Sequence, residues 1–250
     1  MACAVSWVGY NAYVIVLSID TCDSRGSVAL LRGDTVLSLI PHETRDEYSS
    51  WLLPAVNKSL KDASLRMSEV DGFAAAAGPG SFTGVRVGLT TVKAWAEVYG
   101  KRVAAVSRLE AIAAQVRGPA DFVAAFVDAQ RGQVFGAVYQ KEGLGLKRAG
   151  EEMVIAPGRF IDTAAELSGR GKIAWVSPDA AVVEAEAAWK GREKRGENIE
   201  RASPILAGII GRIGSRRLQD GKVTDALGLD ANYVRRSDAE IFWKGAAHGH

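Results

Sequence analysis

Cysteine is nearly absent. Only Cys3 and Cys22 occur in 250 residues, and Cys3 lies in an unanchored N-terminal segment, so no disulfide framework is expected and a reducing compartment, the cytoplasm, fits best. Histidine is as scarce: His42, His248 and His250, the last two in a glycine-rich terminus. No helical His-x-x-x-His pair exists to hold a metal, and no Gly-x-Ser-x-Gly elbow exists to present a nucleophile. Charge of one sign is lacking too. Thirty-one basic against 29 acidic residues leave a net +2, too little for the broad basic field of a protein that grips nucleic acid alone. No apolar run approaches the roughly 18 residues that span a bilayer. Met1 to Tyr13 has neither a basic start nor a sustained apolar centre, and is expected to be a loose leader.

A 48% hydrophobic composition supplies core for one large domain or two small ones. The most organised stretch runs from Phe73 to Gly100. Phe73 to Ala77 reads as a strand buried on both faces, closed by the turn Gly78-Pro79-Gly80. Ser81 or Thr83 then caps a helix whose apolar face is Val85, Leu89, Val92, Ala96 and Tyr99, beside a polar stripe of Arg86, Thr90, Lys93 and Glu97. Gly80, Gly84 and Gly88 recur every fourth residue. A glycine inside a helix costs about 1 kcal/mol relative to alanine, so close approach of another backbone is expected to compensate.

Strand, glycine turn and helix in that order invite a phosphate-site reading, because helix N-termini attract anions. The spacing G-x-G-x-x-x-G is one residue too long for the dinucleotide fingerprint, no Gly-Lys-Ser/Thr follows, and Pro79 removes an N–H. A tight turn before a closely packed helix is the preferred reading of these residues.

A second pattern is an internal repeat. Val14 to Ile19 is a strand ending at Asp20, with Gly26 in the turn and Ser27 to Leu31 returning. About a hundred residues on, Phe122 to Val127 ends at Asp128, Gly132 lies in the turn, and Gln133 to Tyr139 returns. Thr35 to Ile40 continues the first hairpin as a third strand, and Tyr48 to Ala63 is a helix with Leu52, Val56, Leu60 and Ala63 on one face. Val103 to Val106 is a strand, and Ser107 with Glu110 forms a capping box for a helix through Val116, ended by Gly118-Pro119. Helices are expected at Arg159 to Leu167, Asp179 to Trp189 and Pro204 to Leu218, the last burying Ile205, Ile209 and Ile213, with a strand at Lys172 to Val176 and a solvated loop over Lys190 to Arg201. The chain thus divides into halves at 14–118 and 119–222, with terminal arms at 1–13 and 223–250. No low-complexity linker separates the halves, so they are expected to pack together.

GPGSFTGVRVG, Gly78 to Gly88, resembles the signature of the TsaB (YeaZ) family, and the similarity continues through Lys93-Ala94 to Ser107-Arg108-Leu109-Glu110. IDTCDSRGSVALL from Ile19, Leu52-Leu53-Pro54 and YVRRSDAE from Tyr233 agree with it. The resemblance implies an α/β fold of the actin/Hsp70/sugar-kinase, ribonuclease H-like type, two related subdomains each opened by a β-hairpin. It implies a non-catalytic subunit of the machinery that places a threonylcarbamoyl group on an adenosine beside the tRNA anticodon, acting through a TsaD-like catalytic partner. A TsaE-like ATPase in the same complex, ATP and magnesium on the catalytic partner, and a homodimer when alone are further implications. The family's usual His-Ser pair at the first long helix is Tyr48-Ser49 here.

Small residues four apart clear a groove for a partner helix or equally for one of the chain's own, and the resemblance, which implies association through helices of the first half, assigns the surface to Leu52, Val56, Leu60, Gly84, Val85, Gly88, Leu89 and Val92. In nucleotide-using members of the superfamily the two hairpins hold phosphates and a metal, which makes Asp20, Thr21 and Asp128 the nucleotide candidates. Ordinary turn chemistry is the preferred reading of Asp20 and Asp128, and Thr21 can equally donate to a phosphate or satisfy its own turn. No catalytic and no metal-binding residues are assigned. Arg235 and Arg236 are expected to form surface ion pairs in preference to an RNA contact. The alternative function is an ATP-dependent phosphotransferase or a glycoprotease-like hydrolase of the same superfamily.

Overall fold

The computed structural model describes residues 13–43, 46–143 and 145–223. The expectations for the leader, for His248 and His250, and for the Tyr233–Glu240 stretch therefore lie outside the described residues, the leader up to its last residue, Tyr13. The first sheet is built from β1 (Ile15–Asp20), β2 (Ser27–Arg32), β3 (Thr35–Pro41), β4 (Gly72–Ala76) and β5 (Arg102–Val106) in the order β3-β2-β1-β4-β5. β1, β2 and β3 run antiparallel by hairpins, whereas β1, β4 and β5 run parallel. Parallel pairing needs crossovers, supplied by α1 (Tyr48–Asp62) and α2 (Phe82–Tyr99).

Residue alternation along the central strands sends successive side chains to opposite faces. Ile19 and Phe73 face α2: the ring of Phe73 lies 5.9 Å from that of Trp95. Ser18 and its register partner Ala74 face the other way, toward α7 (Ala207–Gln219). Both faces are therefore covered, which is why β4 is buried along its whole length and reads as an unbroken run of alanines after Phe73.

The second sheet contains β6 (Phe122–Asp128), β7 (Val134–Glu142), β8 (Gly145–Arg148), β10 (Ile173–Ser177) and β11 (Ile199–Arg201) in the order β11-β10-β6-β7-β8, with β9 (Met153–Ile155) paired to β7. Three antiparallel strands followed by two parallel ones repeat the sense and order of the first sheet. The repeated hairpin is thus the visible part of a repeated five-strand topology. On one face α4 (Pro157–Ser168), α5 (Ala181–Glu184) and α6 (Ala187–Glu193) enclose an aromatic chain from Phe126 through Phe160 and Trp175 to Trp189, with ring centroids 5.7, 6.1 and 5.3 Å apart. The other face packs on α3 (Arg108–Ala113), and a single apolar cluster runs from Val16 and Phe73 to Val127 and Val176. Among the described residues no helix is long and apolar enough to cross a membrane.

Several expectations for the C-terminal region are corrected. The helix expected over Asp179 to Trp189 is two short ones; the break at Ala185–Glu186 turns Trp189 into the aromatic chain. The charged stretch Lys190 to Arg201 is no simple loop: it carries the end of α6 and, through buried Ile199, the edge strand β11. Pro204 precedes α7 and does not open it. The fully buried face of α7 is Ala207, Gly208, Ile210, Gly211, Gly214 and Ser215; Ile209 and Ile213 are only partly buried against the core, and Ile205 precedes the helix. The glycines face inward because α7 crosses back and lies on the first sheet, where Ser18 Oγ donates to Ala207 O at 2.6 Å. α3 stops at Ala113, and Ser107 caps it without a reciprocal bond from Glu110, whose carboxylate is held by Arg217 at 2.6 and 2.8 Å.

This close approach makes opposite predictions for two glycines of one helix. A Cβ at Gly214 would lie 2.4 Å from the Cβ of Ala74, so Gly214→Ala is expected to destabilise by about 1 to 3 kcal/mol despite its better helix propensity. At Gly208 the nearest atom is a methyl of Val36 at 3.6 Å, so Gly208→Ala is expected to be neutral or to stabilise by up to about 1 kcal/mol. Urea unfolding of both variants, read as midpoint shifts at constant slope, checks the pair.

Candidate functional site

The glycine turn and the first hairpin meet backbone to backbone. Gly78 holds a φ of 102°, open to glycine and strained for other residues, and turns its carbonyl to accept from Arg108 N at 2.7 Å. Ser81 N donates to Cys22 O at 2.6 Å, Thr21 Oγ1 donates to Gly84 O at 2.7 Å, and Ser81 Oγ caps Gly84 N at 3.4 Å. A Cβ at Gly80, Gly84 or Gly88 would stand 2.3, 2.0 or 2.4 Å from Cys22 O, Thr21 O and Thr21 Oγ1 respectively. The compensation for glycine inside α2 is therefore the chain's own β1–β2 hairpin. A groove open to a partner helix is not what these glycines form, and a leucine at position 88 would collide with Thr21 before meeting any second molecule.

The hairpin carries an ion network that sequence patterning did not reveal. Asp20 is buried; its Oδ1 accepts from Cys22 N at 2.9 Å and its Oδ2 lies 3.9 Å from Arg108 Nε. These last two atoms have no hydrogen-bond partner, and burial raises the Asp20 carboxyl above its usual range although Arg108 opposes the shift. Arg108, itself buried, donates to Asp23 Oδ2. Arg25 donates to the same carboxylate oxygen at 2.7 Å and makes two bonds to Asp179, at 2.7 and 3.2 Å. Burial would raise Asp23 as well, but Arg108 and the Arg25 hydrogen bonds outweigh it and hold the carboxyl below its usual range. Asp179 follows β10 in the second half, and its Oδ2 also accepts from Asp128 N at 3.0 Å. The two hairpins are thereby linked through Arg25 and Asp179.

Tyr48 completes the turn. Its hydroxyl accepts from Gly26 N at 2.8 Å and donates to Asp23 O, so the residue that departs from the family's usual histidine braces the hairpin from α1. The nucleotide candidates are occupied locally. Thr21 is bonded to Gly84 O, and Asp128 closes its own turn by accepting from Gln130 N at 2.7 Å and from Gln130 Nε2 at 3.0 Å. Of the three, only Asp20 keeps an oxygen without a hydrogen bond. Arg25, Arg108 and Asp179 lie far apart in sequence, and no spacing rule joins them; position 108 inside the family stretch Ser107–Glu110 was the one available pointer.

The eight residues expected to bind a partner, Leu52, Val56, Leu60, Gly84, Val85, Gly88, Leu89 and Val92, are all buried against this chain's own sheet and hairpin. Helical periodicity thus picks out the inner face, and in this chain that face is covered by its own sheet and hairpin. The outer surfaces of the same two helices expose Leu53, Phe82, Val98 and Tyr99, with Leu53 52% and Val98 75% accessible.

The bridge between the halves is open to a double-mutant cycle. Arg25→Ala, Asp179→Ala and the double variant are expected to show a coupling of about 1 kcal/mol in urea unfolding, weakening as salt rises because Arg25 is partly solvated. A coupling indistinguishable from zero at low salt would show that the bridge contributes no stability.

Residues 35–187 match the family model described as "TsaD: tRNA N6-adenosine threonylcarbamoyltransferase". The chain is 38% identical over 130 residues to the tRNA threonylcarbamoyladenosine biosynthesis protein TsaB of Bacillus subtilis, covering 52% of this chain and 57% of that protein. It is 32% identical over 168 residues to the protein of the same name from Escherichia coli, covering 65% of this chain and 69% of that one. The fold superposes on YeaZ from Pseudomonas aeruginosa with a TM-score of 0.73 at 26% identity, over 88% of this chain and 99% of that structure. The matched region thus spans a little over half of the Bacillus protein and about two thirds of the Escherichia one. With the GPGSFTGVRVG stretch, the five-strand order repeated in both sheets and these similarities in agreement, the chain belongs to the TsaB (YeaZ) family.

Proposed function

We propose that this chain is a scaffold or activating subunit for formation of threonylcarbamoyladenosine beside the tRNA anticodon, and that a TsaD-like protein performs the transfer. One observation carries the reading. The cleft between the hairpins, where nucleotide-using relatives hold phosphates, is bridged here by the chain's own charges: Arg25 and Arg108 neutralise Asp23, and Asp179 receives both Arg25 and Asp128 N. A phosphate entering there has to displace two carboxylates already paired at hydrogen-bond distance. The TsaB relatives from Bacillus subtilis and Escherichia coli, named for threonylcarbamoyladenosine biosynthesis, support the same process.

In this reading ATP and magnesium act on the catalytic partner, a TsaE-like ATPase joins the complex, the chain alone is a homodimer, and all of this takes place in the cytoplasm. The association surface is the outward side of α1 and α2, where Leu53, Phe82, Val98 and Tyr99 leave apolar area in water that a partner would cover.

Reconstitution tests the role. Product is expected from tRNA and the activated threonylcarbamoyl intermediate only when a TsaD-like protein is present, with this chain raising the rate. Transfer by this chain alone, or micromolar ATP binding with phosphate release by it, would overturn the proposal. The surface is tested separately: Leu53→Asp with Val98→Asp is expected to weaken association with the partner by at least about tenfold, equivalent to about 1.4 kcal/mol, with an unchanged thermal melt. Wild-type co-purification of that variant would place the surface elsewhere.

A further inference from the structure

An open groove of about 770 Å³ lies at the N-terminal ends of β10 and β11, at the far end of the second sheet from Asp128 and Asp179. Its walls are the connection between the halves, the turn after α4 and the loop after α6. Two acids line it, and both are turned to the protein. Glu200 accepts from Arg117 N at 2.8 Å and Gly118 N at 3.2 Å, while Glu197 accepts from the Trp175 indole at 3.0 Å and from Arg192 at 2.8 Å. Of the four cations lining the groove, Arg192 alone is hydrogen-bonded through its side chain among the described residues. Arg117 and Lys172 are exposed, with no side-chain hydrogen bond or ion pair among the described residues. Arg195 reaches Glu197 only at 3.6 Å and is 65% accessible. Four glycines on the rim leave the backbone bare, so an extended anionic chain can lie close.

From this arrangement we propose that the groove is a docking site for the phosphate backbone of RNA. The charge is local, which is how a chain of net +2 retains a cationic surface. No aromatic residue lines the groove, and Trp175, whose indole bonds Glu197, is buried behind it, so no ring is offered for base stacking. Three solvated cations without a stacking platform position a backbone and read no sequence. The choice of tRNA as the RNA rests on the proposed function; the cationic groove does not.

The test is fluorescence anisotropy of a labelled, unmodified tRNA transcript titrated with the full chain over a salt series. The combined variant Arg117→Ala, Lys172→Ala, Arg195→Ala is expected to bind at least about tenfold more weakly at low salt, and to lower the slope of log affinity against log salt by about 2 to 3, near 0.7 to 0.9 per phosphate contact. A control with Lys147→Ala and Lys222→Ala, exposed cations outside the groove, is expected to bind like wild type. Lys172→Glu alone is measured beside them, because that exposed side chain makes no hydrogen bond or ion pair among the described residues; it is expected to weaken tRNA binding with an unchanged thermal melt, and unchanged binding would count against the site. Wild type that binds no tRNA, groove variants that bind unchanged, or a control that loses as much would each overturn the site. Inorganic triphosphate that displaces tRNA at equal phosphate concentration would identify a small-anion site and overturn the RNA assignment. Co-purification of the groove variant with a TsaD-like partner is read in parallel: failure of wild type there counts against the proposed function, and unchanged tRNA binding by the groove variant counts against the groove alone.

Discussion

The rest of the structure depends on one close contact, the passage of Thr21 and Cys22 across the first turns of α2. Three glycine positions are emptied of side chain to allow it, and in return the hairpin bonds the start of the helix, Cys22 O accepting from Ser81 N and the Thr21 hydroxyl donating to Gly84 O. Once the hairpin is held there, Asp20, Asp23 and Arg25 have no freedom to choose their surroundings. Asp20 is carried into the interior beside Arg108, and Arg25 is carried across to Asp179. A buried unpaired charge is costly, so the Arg108 guanidinium and the two carboxylates around it stand or fall together.

The same contact accounts for the character of the cleft. Duplicated hairpins facing each other are a natural place to hold an anionic ligand, since each turn presents backbone N–H groups and a carboxylate able to organise a cation. In this chain those groups are turned on one another. Thr21 serves α2, Asp128 serves its own turn, and the two arginines serve Asp23 and Asp179. What is left open to solvent is surface: apolar residues on the outer sides of α1 and α2, and the exposed cations Arg117, Lys172 and Arg195 at the foot of the second sheet.

The two halves are not independent bodies. α3 follows the last strand of the first sheet yet covers the second, and α7 follows the last strand of the second sheet yet covers the first. Each sheet thus depends on a helix that lies across the boundary expected at residue 119, and the apolar cluster continues from one sheet into the other. A stable shared core suits a scaffold, whose task is to present a surface of constant shape.

Local sequence by itself determined the elements whose information is short in range. The hairpin at Asp20, the buried alanine strand, the helix from Ser81 and the repeat at Asp128 are all legible, because β-branched runs, glycine turns and helical periodicity act within a few residues. It also determined which helix faces are apolar, though not what covers them. Only the tertiary structure decided that. Leu52, Val85 and Leu89 face the chain's own interior, and Gly84 and Gly88 of α2 and Gly211 and Gly214 of α7 carry no side chain because a hairpin and a sheet lie against them. Strand β11 was hidden because a single buried isoleucine in a charged run has no period to detect. The Arg25–Asp179 bridge was hidden for a stronger reason: its partners are 154 residues apart and meet only after both sheets have formed and docked.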